Sequence, residues 1–145
     1  AGTRLLDFGC GTGILAILAS KLGAEEIEAI DIEEESYRNT LENSQVNGVS
    51  NVVARCGILS DVQGRNFDGI LANINRHVIL ESLPALSAMI RPGGWLLISG
   101  ILLTDESIVT ESAKSNGFKP EWITQRGNWL CALFSRPGVN TTQEG

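Results

Sequence analysis

Short apolar runs alternate with longer segments of helical periodicity along most of this 145-residue chain. Each apolar run is short enough to be a buried strand, and turn residues or a helix start follow it. The alternation predicts βα units around a parallel sheet. The predicted strands are residues 4–8, 26–31, 52–56, 67–72 and 95–99. The predicted helices are residues 13–22, 33–47, about 78–90 and 105–116.

Two details of the pattern refine this layout. The helix at residues 13–22 is apolar on nearly every side, which predicts that it is buried against the sheet. Near the end of the chain, residues 122–125 and 129–134 flank Arg126-Gly127-Asn128, which is a hairpin signal. Parallel strands finished by an antiparallel pair resemble the seven-stranded, Rossmann-like sheet of class I methyltransferases, with helices on both faces. The predicted fold class is therefore α/β.

The turn after the first strand carries three glycines at alternate positions, Gly9, Gly11 and Gly13. Glycines here remove the side chains that would keep a ligand away from the backbone, and the helix start presents free N–H groups. A dinucleotide fingerprint would place its third glycine at position 14, which is Ile14 in this chain. The spacing therefore favours S-adenosylmethionine (SAM) over a nicotinamide dinucleotide as the cofactor.

Charge and cysteine content narrow the class of protein. Asp and Glu number 17 against 11 Lys and Arg, and the net charge of −6 disfavours direct binding to nucleic acid. The three cysteines are far apart, which argues against a disulfide framework or a zinc pair and favours a reducing compartment. The apolar stretches are too short for a membrane span. We therefore expect a cytoplasmic protein with no metal site and no membrane partner.

The ends of the first, second and fourth strands are the predicted ligand site. In open α/β sheets, ligands bind beyond the carboxyl ends of the strands where the strand order reverses. Asp31 ends the second strand, 22 positions after Gly9, and can accept hydrogen bonds from a ribose diol or act as a helix N-cap. Ile32 can pack on a flat purine. Asp7 can orient the glycine loop, reach the cofactor ammonium group through water, or have a purely structural role.

Four segments together resemble the PrmA family, the methyltransferases of ribosomal protein L11. They are residues 6–17, 29–32, 72–76 and 91–94, and Asn73-Ile74-Asn75 is the segment that discriminates this family. The resemblance implies SAM-dependent methyl transfer to the N-terminal amine and the lysines of a ribosomal protein. It also implies that Gly9, Asp31 and Asn73 contact the cofactor, and that Asn73 holds the acceptor nitrogen in line with the methyl group.

The residues around Asn73 allow plainer interpretations as well. Asn73 itself can be a turn residue that bonds to the backbone at the end of its strand. Asn75 and Arg76 either border the acceptor channel or serve as capping and surface residues. His77 is the one histidine of the chain and sits at a helix start, where a bystander role is favoured over acid–base catalysis.

This chain departs from the family pattern in two places. Ile58 stands where methyltransferases often carry an acid that contacts the adenine amino group, so adenine recognition is expected to be weaker or to use the backbone or Asp61. The family also has an upstream lid segment and an N-terminal domain that grips the ribosomal substrate. We therefore expect residues 1–136 to be an N-terminally truncated catalytic domain, followed by a disordered tail at 137–145.

Two other functions remain open from the sequence. One is methylation of another amine, an amide or a small molecule, because Asn73 resembles the first residue of the Asn-Pro-Pro-Tyr motif. Here Ile74, Asn75 and Arg76 replace Pro-Pro-Tyr, which removes the aromatic platform that a flipped base would need. The other is a non-catalytic SAM-binding relic, a hypothesis motivated by Ile58.

Overall fold

The computed structural model of the chain describes residues 2–138. Its strands are β1 (Arg4–Phe8), β2 (Glu26–Asp31), β3 (Val52–Cys56), β4 (Phe67–Asn73), β5 (Ile90–Leu102), β6 (Lys119–Arg126) and β7 (Trp129–Ser135). Its α-helices are α1 (Ile14–Lys21), α2 (Glu34–Val46), α3 (Arg76–Met89) and α4 (Glu106–Ser115). Most of the tail expected at 137–145 lies outside the described residues.

All seven strands belong to one sheet with the order β3-β2-β1-β4-β5-β7-β6. Strands β1 to β5 run parallel, whereas β7 is antiparallel to both of its neighbours. The chain leaves β1 toward β3 and then returns to the other side of β1 with β4. This reversal opens a crevice at the carboxyl ends of β1, β2 and β4, and the predicted α/β fold class is confirmed.

Several boundaries differ from the sequence-based prediction for local reasons. Helix α3 begins at Arg76, two residues earlier than expected, because the Asn75 side chain accepts a hydrogen bond from Val78 N at 3.0 Å and caps the helix. Strand β5 begins at Ile90 because Ile90 pairs with Phe67 of β4, and the backbone of Gly93 and Gly94 pairs with Arg136. Both starts, that of α3 and that of β5, thus depend on hydrogen bonds that the hydrophobic pattern does not show.

The first helix is buried against the sheet, as predicted, but only one of its apolar faces is covered. In α1 only Ala16 and Ile17 are buried, whereas Ile14 and Leu18 are exposed, as is Leu22 just after the helix. A helix on a sheet buries only the face that contacts the sheet, unless another element covers its outer face. Within residues 2–138, the outer face of α1 meets solvent.

Two apolar clusters lie on opposite faces of the sheet. The larger cluster packs α3 and α4 on one face and includes Ile79, Leu83 and Val109. The smaller cluster lies under α1 and consists of Leu5, Cys10, Ala16, Ile27 and Ala29. Helices therefore cover both faces of the sheet, as predicted, but the apolar cluster under α3 and α4 is larger than the one under α1. In the described part of the chain, no helix has the length and apolar character required to cross a membrane.

Candidate functional site

A cavity of about 830 Å³ opens at the carboxyl ends of β1, β2 and β4. Of the predicted site residues, those that line it are Gly9, Gly11, Asp31, Ile32 and Asn73. Asp7 and Gly13 lie outside the lining. The topology of the sheet brings these five residues together because the strand ends that carry them are neighbours at one edge.

Helix α3 forms a wall of this cavity that the sequence analysis missed. Its lining residues are Val78, Glu81, Ser82 and Ala85. Their spacing places them on one face of the helix. Because α3 follows Asn73 after only two residues, the helical period could have identified this wall once Asn73 was chosen as a site residue.

The glycine turn is shaped by one close approach and one open space. Gly9 has a φ of 81°, and a Cβ on it would lie 2.9 Å from the main-chain oxygen of Asn73. Gly11 has a φ of 55°, but a Cβ there would meet nothing within 4 Å. Gly9 therefore lets β1 and β4 approach each other, whereas Gly11 leaves open space above the turn, as a ligand cradle requires.

Asp31 joins the glycine turn to the start of α2. Its Oδ2 accepts a hydrogen bond from Gly11 N at 3.0 Å, and its Oδ1 accepts one from Glu33 N at 2.9 Å. The second bond closes the turn that leads into α2, but the N-cap of this helix is Glu33, so the N-cap interpretation of Asp31 is wrong. Each carboxylate oxygen has a further lone pair, and Asp31 lines the cavity, so it can also accept hydrogen bonds from a ligand.

Two isoleucines supply apolar surface at the β2 and β3 ends of the cavity. Ile32 and Ile58 are 70% and 55% exposed, and both line the cavity. Asp61 does not line it, because its Oδ2 accepts a hydrogen bond from Ile58 N at 2.8 Å. The Asp61 carboxylate and the Ile58 N–H, the two groups expected to contact the adenine, thus already form a hydrogen bond with each other.

Asn73 is the last residue of β4 and is exposed. Its main-chain oxygen lies against Gly9, whereas its side-chain Oδ1 lies toward Gly100 of β5. The next residue, Ile74, donates a backbone hydrogen bond to Ser99 O at 3.2 Å. The sheet therefore holds the backbone of Asn73 and leaves the amide at its edge.

A second cavity, of about 540 Å³, lies beside Gly100. Its lining residues are Asn75, Arg76, His77, Gly100, Leu102, Asp105 and Trp129. Arg76 Nη1 lies 3.2 Å from Asp105 Oδ1, so this arginine is tied to the segment that follows β5. Since Gly100 also contacts the Asn73 amide, this second cavity and the larger one approach Asn73 from different sides.

Asp7 is buried beneath α1, and both of its carboxylate oxygens lack a hydrogen-bond partner among the described residues. The pKa of Asp7 is raised to about 7, mainly because burial removes its hydration. The nearby Ala16 N–H lowers this pKa in part, and the charge of Asp31 raises it. Burial thus favours the protonated form of this carboxyl in the folded protein.

The other candidate groups show no catalytic arrangement. The His77 side chain is exposed and lies 3.1 Å from Glu81 in the next helical turn. Burial raises the pKa of the Cys10 thiol to about 11, so little thiolate is present at neutral pH. Across residues 2–138, no three His, Cys, Asp or Glu side chains come together as metal ligands would.

The strand order, the glycine turn after β1 and the acid at the end of β2 define the fold of class I SAM-dependent methyltransferases. Solved structures agree with this class. A ribosomal protein L11 methylase from Lactobacillus delbrueckii subsp. bulgaricus superposes with a TM-score of 0.89 at 33% identity, over 94% of this chain and 71% of that chain. At 17% identity, TYW2 of M. jannaschii in complex with AdoMet shows the same fold, with a TM-score of 0.71 over 92% of this chain and 68% of that chain.

Sequence comparison then gives the family. The profile of the ribosomal protein L11 methyltransferase (PrmA) family matches residues 1–137, and this chain belongs to that family. The ribosomal protein L11 methyltransferase of Porphyromonas gingivalis is 43% identical over 92% of this chain and 47% of its own length. That of Lactobacillus helveticus is 40% identical over 91% of this chain and 42% of its own length. The chain thus spans about half the length of these relatives.

Proposed function

We propose that this chain is the catalytic domain of a SAM-dependent methyltransferase that modifies amino groups of a ribosomal protein. The observation that carries the proposal is a single cavity in which the glycine turn, the Asp31 carboxylate and Asn73 meet. The first two are suited to a nucleoside cofactor, and the third is suited to an acceptor nitrogen. Membership of the PrmA family supports the same activity.

The residues present fit SAM. The open space above Gly11 admits the amino-acid part of the cofactor, and Asp31 has lone pairs free for the ribose hydroxyls. The side chains of Ile32 and Ile58 offer apolar surface to the adenine. Asp7 takes the supporting role, because it lies outside the lining and reaches the ligand only through water or through the turn above it.

In this proposal Asn73 positions the acceptor. The amide oxygen at the edge of the sheet accepts a hydrogen bond from the incoming amine and aims the nitrogen lone pair at the methyl group. A lysine must first lose its proton, since only the neutral amine is a nucleophile. Bound SAM supplies a methyl group on a positively charged sulfur, which leaves as a neutral thioether and requires no general acid. Alignment of the amine by Asn73 is therefore the main contribution of these residues to the rate of methyl transfer.

The proposed substrate is ribosomal protein L11, the protein named in the family description. This chain spans about half the length of its relatives, and residues 2–138 contain both the cofactor cavity and Asn73. We therefore assign the grip on the ribosomal protein to the remainder of the longer protein, as expected from the sequence. Residues 1–136 supply the chemistry in this division.

Mass spectrometry of ribosomal proteins incubated with SAM and the full-length protein tests the proposal. We expect added methyl groups on ribosomal protein L11, and a rate lower by about 10- to 100-fold in Asn73→Ala, because an unaligned amine rarely reaches the methyl group. Asn47→Ala is the matched control, since this exposed amide lies at the end of α2, away from the cavity. An unmodified L11 would contradict the substrate, and equal rates in wild type and Asn73→Ala would contradict the role of Asn73.

A non-catalytic relic is the second candidate, and one observation favours it. Ile58 replaces an acid, and Asp61, whose Oδ2 accepts a hydrogen bond from Ile58 N, lies outside the cavity lining, so no carboxylate of this loop lines the cavity. Calorimetric titration of the full-length protein with SAM separates the candidates. Heat of binding together with methyl transfer excludes the relic, whereas heat of binding without methyl transfer supports it and contradicts the proposed function.

A further inference from the structure

Strand β5 contains a bulge at Gly100, next to the candidate acceptor position. Ser99 pairs with Cys131 and Ile101 pairs with Leu130, so Gly100 has no partner in β7. The alternation of burial shifts at the same place, because Ile98 and Ile101 are both buried although three positions separate them. Gly100 is therefore the extra residue of a β-bulge, a feature that redirects side chains at the end of a strand.

The bulge brings the backbone of Gly100 against the amide of Asn73. A Cβ on Gly100 would lie 2.6 Å from Asn73 Oδ1, but 3.4 Å from the nearest backbone atoms of Ile74. The only severe overlap would thus be with the end of a rotatable side chain. A methyl group at this position would displace the amide and leave the sheet in register.

Asn73 is held between two glycines that act on different parts of it. Gly9 approaches its main-chain oxygen from the side of β1, and Gly100 approaches its amide from the side of β5. Each approach is shorter than a residue with a Cβ allows. The observed direction of the amide is therefore compatible only with the absence of a side chain at position 100.

We propose that Gly100 is a positioning residue for methyl transfer, which keeps the Asn73 amide oxygen aimed at the acceptor amine. The inference rests on the proposed function of Asn73 and adds a residue that touches neither cofactor nor acceptor. It also assigns a role to the bulge, since the bulged backbone of Gly100 is the part of β5 that lies against the amide.

The alternative explanation for this glycine is its backbone conformation alone. Gly100 has a φ of 86°, which is unfavourable for residues with a side chain. Gly48 provides the matched control, since its φ is 67° and a Cβ on it would meet nothing within 4 Å. Gly48→Ala imposes backbone strain without an overlap, whereas Gly100→Ala imposes both.

Steady-state kinetics of Gly100→Ala in the full-length protein test the proposal. We expect kcat to fall by about tenfold or more, because a displacement of roughly 1 Å in a positioning group has effects of this size. We expect the SAM dissociation constant and the KM for the ribosomal protein to stay within about threefold, because Gly100 lines neither the cofactor cavity nor the substrate-gripping part. Gly48→Ala is expected to retain the wild-type kcat.

A double-mutant cycle with Asn73→Ala separates the roles. In the Asn73→Ala background, adding Gly100→Ala is expected to reduce kcat by less than about threefold, because the displaced amide is already absent. A full and multiplicative loss in that background overturns the proposal, and so does a wild-type kcat in Gly100→Ala. If Asn73→Ala alone leaves kcat unchanged, the proposed function of Asn73 fails instead.

Thermal unfolding gives a readout that does not depend on activity. We expect Gly100→Ala to lower Tm, and we expect the additional change Asn73→Ala to restore part of the loss by removing the overlapping amide. The comparison of Tm values also tests the proposal if Gly100→Ala alone folds poorly and its kcat is not measurable. A double variant with a Tm no higher than that of Gly100→Ala would show that the amide and the methyl group do not compete for space, and would overturn the proposal.

Discussion

Helices α2 and α3 are of nearly equal length, with 13 and 14 residues, yet they bury different kinds of side chain. The buried residues of α3 are Ile79, Leu83, Leu86 and Met89. Those of α2 are Thr40 and Ser44. Each helix follows the strand that ends in a candidate site residue, Asp31 before α2 and Asn73 before α3. The candidate acceptor residue, Asn73, is therefore followed by a helix with an apolar buried face. The candidate cofactor residue, Asp31, is followed by a helix with a polar buried face.

The polar contacts of α2 are made with the glycine turn itself. Thr40 Oγ1 donates a hydrogen bond to Gly11 O at 3.2 Å, and Asn43 Nδ2 donates one to Thr12 O at 2.8 Å. A buried hydrogen bond contributes roughly 1 kcal/mol, whereas a buried leucine side chain contributes about 1.5–3 kcal/mol. Helix α2 thus specifies the shape of the turn with little stabilisation, and α3 stabilises the fold without touching the turn.

The largest expected effect comes from breaking the apolar side of this comparison. Leu83→Ala is expected to lower the free energy of unfolding by about 2–5 kcal/mol, because Leu83 is fully buried and a cavity remains. Leu41→Ala makes the same chemical change on α2, where Leu41 is 44% exposed, and should cost less than about 1 kcal/mol. Urea unfolding monitored by circular dichroism measures both. Equal losses would contradict the contrast between the two helices.

A second prediction concerns Asp7, which lies under α1 on the same side of the sheet as α2. Its folded-state pKa of about 7 lies above the ordinary value of 3.8, so the folded state favours the protonated form. The contribution of Asp7 to the free energy of unfolding is therefore fully present below about pH 4 and is lost as the pH rises toward 7. Each unit of pKa difference corresponds to about 1.4 kcal/mol, so the whole loss is a few kcal/mol.

The variant Asp7→Asn should remove this pH dependence and be more stable than the wild type above pH 7. Unfolding in urea between about pH 2 and pH 8 measures the effect, because the Asp7 contribution changes above about pH 4 and that of the control below it. Asp68→Asn is the control with the opposite sign. The backbone N–H of Arg4 and the side chain of Arg91 hold the pKa of Asp68 below its ordinary value, so its contribution is lost as the pH falls. A wild-type slope in Asp7→Asn would contradict the burial of an unpartnered carboxyl.

Sequence patterns predicted the parts of this molecule that depend on period and topology. The five parallel strands follow from apolar runs, and Gly9, Asp31 and Asn73 fall at strand ends that the strand order makes neighbours. The exposed face of α1 was not predictable, because an apolar helix looks the same whether or not another element covers it. The bulge at Gly100 was missed because the predicted strand ended at residue 99, although a glycine inside an apolar run is a signal for a bulge.

The smallest expected effect tests the polar side of the comparison. Thr40→Val keeps the shape of the side chain and removes the hydroxyl that bonds to Gly11 O and lies 3.3 Å from Cys10 Sγ. We expect a loss of about 1 kcal/mol in the free energy of unfolding, because the Gly11 carbonyl loses its donor. We also expect a severalfold weaker affinity for S-adenosylhomocysteine, because a looser turn must be ordered when the ligand binds.

Thr104→Val is the control, since Thr104 is exposed and lies in the 3-10 turn after β5. Urea unfolding and calorimetric titration in the full-length protein measure the two quantities. If Thr40→Val lowers stability and leaves the affinity unchanged, the hydroxyl only holds α2 to the sheet. If it lowers both, the polar contact of α2 shapes the cofactor turn, and the contrast with α3 extends from the packing of the two helices to their roles in ligand binding.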